Sequence, residues 1–105
     1  MNLDEAQLNA LPAKDRARYM TLERLFASPG WKVIMAMAEE RMAQQTQRAA
    51  FAKSWDENRM AVGVGAAWHE IAKLEENTEA EYASKLEAVE RAAFIAAAAE
   101  ESAFE

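Results

Sequence analysis

The chain of 105 residues has no cysteine, only two prolines and three glycines, and a single histidine. Without cysteine there is neither a disulfide framework nor a thiolate metal site, and a reducing interior is compatible. No window approaches the roughly 18 consecutive apolar residues of a membrane span. The opening "MNLDEAQLNA" has neither the basic nor the apolar region of a signal peptide, so a soluble, intracellular product is expected. Alternating strand patterns are missing too. The one β-branched cluster, "VGV" at 62–64, is too short and too rich in glycine for a sheet.

Large aliphatic residues are also scarce. The apolar fraction is 51%, yet alanine supplies 25 of those residues. Leu, Ile, Val and Phe together number 18, about 17% of the chain, below the ~20% at which a self-sufficient core becomes doubtful. Three Trp and six Met, with no Ser- or Pro-rich tract, argue against disorder. Long helices with thin apolar stripes, completed by copies or partners, fit this composition.

Charge is unevenly spread. Residues 1–74 carry ten Lys/Arg against nine Asp/Glu, whereas residues 75–105 carry two against nine. The acidic end disfavours nonspecific nucleic-acid binding and suits solubility or a basic partner. Residues 13–59 have a small basic excess around Trp31, Phe51 and Trp55. Their charges alternate in sign, as on a solvated helix surface, so nucleic acid is not expected as a partner.

Along the chain, Asn2 or Asp4 can cap a short first helix to about Ala10, ended by Pro12. A second helix is expected from about Ala13 to Ala27, with Tyr19, Leu22 and Phe26 on one face. In "FASPGWKV" the helix must stop before Pro29, and Ser28 and Pro29 then make a capped start for a third. That helix carries Trp31, Ile34, Met35, Ala38 and Met42 as a stripe and should reach about Lys53. "SWDE" at 54–57 has capping-box spacing; either Ser54 starts a new helix or one helix runs through it. Val64, Trp68, Ile71 and Leu74 share a core-like face. Asn77 can end that helix, and Thr78 with Glu81 offers another capping box, so the last helix is expected over 78–105. It carries Tyr82, Leu86, Val89, Ala93 and Ala96 at heptad-like spacing.

The expected fold is all-α: an antiparallel helical hairpin or small bundle of long helices, with a short N-terminal helix. It is read as a single helical domain over 1–105, with short N-terminal helices in 1–27, central helices in 28–76 and the acidic helix in 78–105.

Motifs for catalysis are weak. His69 is followed four residues later by Lys73, not a second metal-binding histidine. "GVGAAW" lacks the third glycine and the preceding strand of a dinucleotide site. Its small residues instead suit close helix approach, or a local softening at Gly63 and Gly65. The acidic pairs are adjacent in sequence and so diverge on a helix, and no serine stands in a G-x-S-x-G elbow. No enzyme activity, cofactor, metal or small-molecule substrate is expected. The candidate interface residues are Trp31, Met35, Met42, Trp55, Trp68, Tyr82 and Leu86. For Trp31 and Trp68, a place in the chain's own core is equally compatible, and Trp55 belongs at a boundary.

The stretch "LFASPGWKVIMAMAEERM", residues 25–42, resembles a family of small tailed-phage proteins. These have a similar leucine-phenylalanine, small residue, glycine-tryptophan-lysine opening, then a second helix and a glutamate-rich end like "WHEIAKLEENTEAEYASKLEAVE". The likeness covers about residues 20–90; "GVGAAW" and the alanine-rich tail depart from it. Genes of the family commonly lie among head and portal genes. The resemblance implies a virion or assembly protein that forms homo-oligomers or binds other phage structural proteins, present in the host cytoplasm and then in the virion. The alternative expectation is a small acidic protein that inhibits or adapts a host protein.

Overall fold

The computed structural model describes residues 1–103. Those residues form five α-helices and no strand: α1 Glu5–Asn9, α2 Ala13–Ala27, α3 Pro29–Ala50, α4 Trp55–Ala72 and α5 Leu74–Ala103. The fold is all-α, as expected. The chain divides into two compact units, Met1–Arg24 with Asn77–Glu105, and Leu25–Glu76.

In the first unit, the Asp4 carboxylate accepts from the Gln7 amide at 3.1 Å and caps α1. Leu8 and Leu11 then join Tyr19 of α2 and Tyr82 of α5 in a buried cluster. The two tyrosine rings meet edge to face at 5.1 Å, the arrangement their quadrupoles favour. Leu86 and Val89 pack against the cluster from α5, at the spacing the sequence suggests. Around it, the Tyr19 hydroxyl donates to Glu81 Oε1 at 2.8 Å. Lys85 Nζ lies 3.0 Å from Asp15 Oδ1, and the Leu3 amide donates to Glu23.

The second unit is built on the α3–α4 hairpin. Ser28 has extended backbone, and its hydroxyl accepts from the Trp31 amide at 3.2 Å while donating to the Leu25 carbonyl at 2.6 Å. One side chain thus closes the end of α2 and opens α3. Phe26 and Trp31 face each other across this corner, both buried, with ring centroids 5.0 Å apart.

The hairpin turn spans residues 51–54. α3 ends at Ala50, three residues before the expected Lys53, and Ser54 caps α4. A single helix through Ser54 is therefore excluded. The Ser54 hydroxyl accepts from the Glu57 amide at 3.1 Å. The Glu57 carboxylate reaches back to the Lys53 amide at 2.9 Å, one residue earlier than in the usual reciprocal box.

The next boundary differs from the sequence expectation. α4 stops at Ala72, only Lys73 intervenes, and α5 begins at Leu74. Asn77 does not end a helix, and Thr78 does not cap one: Thr78 is buried within α5. No described non-glycine residue takes the positive φ that an asparagine terminator needs. The early start places Glu75 and Glu76 in the first turn of α5, where the helix dipole favours carboxylates.

Candidate functional site

Small residues line the seam of the hairpin. Ala38 of α3 and Ala61 of α4 are buried, and a Cβ placed on Gly65 would stand 3.3 Å from the Gln45 Cβ. Nearby, the Asn58 side-chain amide donates to the Ala49 carbonyl across the hairpin at 2.9 Å. Gly65 thus serves close helix approach, whereas Gly63 faces open space.

Close to Gly65 the seam holds small residues and the buried Gln45, and several bulky apolar residues lie outside it. Phe51 is 77% exposed, Met60 73% and Trp55 72%. Ile34, Met37 and Val64 are exposed as well. Val64 and Leu74 are therefore not core, contrary to the face read from the sequence, and Trp68 and Ile71 are only half-buried.

On one flank the side chains enclose an open groove of about 460 Å³, lined by Gln45, Arg48, Phe51, Glu57, Met60 and Val64 among others. Gln45 and Ala61 are its buried residues, Phe51, Met60 and Val64 its exposed apolar ones, and it holds a cation from α3 and a carboxylate from α4. On the other flank, Met42, Thr46, Ala49, Val62 and Gly65 border a smaller hollow of about 280 Å³. Apolar grooves with few polar groups are the usual form of a binding surface. Full burial of one Phe, Met or Val is worth roughly 1.5–3 kcal/mol, so several exposed together leave substantial free energy unclaimed.

The candidate interface residues separate into distinct settings. Trp31 is buried in the second unit, where its indole Nε1 has no hydrogen-bond partner. Tyr82 and Leu86 belong to the core cluster of the first unit. Met35, Met42 and Trp68 are half-buried, and Met42 borders the smaller hollow. Trp55 is exposed at the first residue of α4. Sequence reasoning did not select Arg48, Phe51, Glu57, Met60 or Val64 as a group. Their available signal was recurrence: Val64 and Ile71 follow Glu57 at heptad intervals with Met60 in the adjoining row, forming a second stripe beside the seam.

The other polar constellation is structural in character. Burial, together with the hydrogen bond to Glu81, holds the Tyr19 phenol above its usual pKa of 10.0. Burial also raises that of Tyr82, aided by the nearby Asp4 and Glu23 carboxylates. The hydrogen bond that the Lys85 ammonium donates to Asp15 raises the pKa of Lys85. These groups keep their protons at neutral pH, which suits hydrogen bonding and ion pairing rather than proton abstraction. Among the described residues no group of three or more His, Asp or Glu side chains could hold a metal ion. None of the described helices is long and apolar enough to cross a membrane.

No family model, curated protein or solved structure matches the chain.

Proposed function

We propose that this chain is a non-enzymatic structural or assembly protein of a tailed-phage virion, in the head or portal region, acting through helix-mediated contacts. The observation that carries the helix-mediated part is the apolar groove beside the α3–α4 seam, with Phe51 and Met60 mostly exposed at its edge. The phage setting rests on the "LFASPGWKVIMAMAEERM" resemblance in residues 25–42. On this reading the protein is made in the host cytoplasm and carried into the particle. The test is in vitro association of purified protein with phage head components. Met60→Glu introduces a charge into the groove at an already exposed position, so helicity should persist while association falls. Undiminished association of a folded Met60→Glu protein would remove the groove from the proposal.

A second reading follows from the far end of α5, where every residue from Glu90 to Ala103 is exposed and Glu100 and Glu101 stand near the end. Such a helix suits a basic surface on a host protein, as a small acidic inhibitor or adaptor. Binding of that kind collapses in high salt, whereas apolar groove contacts survive it.

A further inference from the structure

We infer that the occupant of the groove is the same hairpin of a second copy, the two laid face to face as a four-helix bundle. This rests on the assembly reading above and names its partner. Three observations favour a copy over an unrelated protein.

The first is the pattern. On α3, Ile34, Arg41 and Arg48 recur at seven-residue intervals, with Met37 and Gln44 in the adjoining row and Phe51 continuing it just past the end of the helix. On α4, Glu57, Val64 and Ile71 recur at seven, with Met60 and Ala67 in the adjoining row. Both helices therefore carry a second heptad stripe on the groove side, beyond the one used in their own seam. Two stripes side by side are the requirement for a bundle of four helices, not for one added helix.

The second is charge. Arg48 and Glu57 line opposite walls of the groove, and no ion pair joins Arg48 to another described residue. A two-fold interface requires a patch that complements itself. A two-fold axis along the hairpin sets α3 of one copy over α4 of the other, so Arg48 of each faces the second copy's Glu57. Opposite signs on the two walls make the patch its own complement.

The third is size. The 18 residues of α4 extend about 27 Å at 1.5 Å per residue, and two helices abreast span about 20 Å. That footprint is about 540 Å² per copy, or on the order of 1,000 Å² in all, the threshold for a specific interface. A second hairpin of equal length covers it from end to end.

The test uses the full chain and two charge reversals. Wild type should sediment at twice the chain mass at micromolar concentration. Arg48→Glu alone and Glu57→Arg alone should each weaken the dimer at least about tenfold, since each places like charges together twice. Mixed in equal amounts, they should regain the dimer, because the heterodimer restores both opposite-charge pairs. Rescue by mixing cannot arise from repair of either chain's own fold. Met60→Glu is the independent control and should give a monomer with wild-type helicity. A monomeric wild type, a mixture no tighter than its components, or a dimer that survives Met60→Glu would each overturn the inference. The assembly proposal fails separately. A monomer whose association with head components still depends on Met60 refutes self-docking alone, and a Met60-dependent dimer that ignores those components refutes the assembly role alone.

Discussion

Two tyrosines of one core cluster differ in a single atom's surroundings. The Tyr19 hydroxyl donates to Glu81, whereas the Tyr82 hydroxyl is buried without a partner. Removing a bonded hydroxyl loses about 1 kcal/mol, but removing an unpaired buried one relieves its desolvation. Tyr19→Phe should therefore lower the urea midpoint, and Tyr82→Phe should leave it unchanged or raise it. Equal losses from both would contradict the assigned hydrogen bonding. The glycines offer a similar contrast. At Gly63 a methyl meets open space, so Gly63→Ala should stabilise by about 1 kcal/mol through helix propensity. At Gly65 the same methyl meets Gln45 at 3.3 Å, and the gain should shrink or reverse as the seam is pushed apart. Thermal melts of the two variants decide the matter.

The elements are set by local chemistry at some ends and by packing at others. Ser28 and Ser54 were legible as caps because the serine hydroxyl, and the proline after Ser28, act within a single turn. Ser28→Ala should cost about 1 kcal/mol, measurable by chemical denaturation, with the helices otherwise retained. Thr78 carried the same kind of signal and misled. The box through Thr78 and Glu81 competes with burial of Thr78 inside α5 and with the acidic first turn at Glu75 and Glu76. A capping motif states what a helix start could look like; burial decides whether the chain starts one there. The groove was less legible still. Val64 and Leu74 fall on an apolar face at correct spacing, yet spacing cannot say which of two adjacent stripes faces a neighbour. The close approach of Gly65 to Gln45 marks one stripe as the seam, and Met60 and Val64 lie outside it.

At the scale of the whole molecule, alkaline pH should be the weak point. The folded state raises the pKa of Tyr19, Tyr82 and Lys85, so it binds their protons more tightly than the unfolded chain does. Their contribution is complete below the unfolded values of 10.0 for the tyrosines and 10.5 for lysine. It is lost as pH rises through the higher folded values. Stability of the first unit should accordingly be level near neutrality and fall above about pH 10. The chain has only two tyrosines, so tyrosinate absorbance reports both directly. Ionisation should be delayed beyond the free value and coincide with loss of helical signal. Ionisation at the free value, ahead of unfolding, would contradict the buried cluster.

The sequence by itself determined that this protein is all helical, without disulfides, and short of large aliphatic residues. Those properties follow from composition and from chemistry within one helical turn. Only the tertiary structure decided which apolar residues are enclosed. Small residues let α3 and α4 approach at Gly65, while Met60 and Val64 lie outside the seam and Phe51 stands exposed in the turn. Exposure is a property of what lies opposite a residue, and no periodicity along a single helix contains that information.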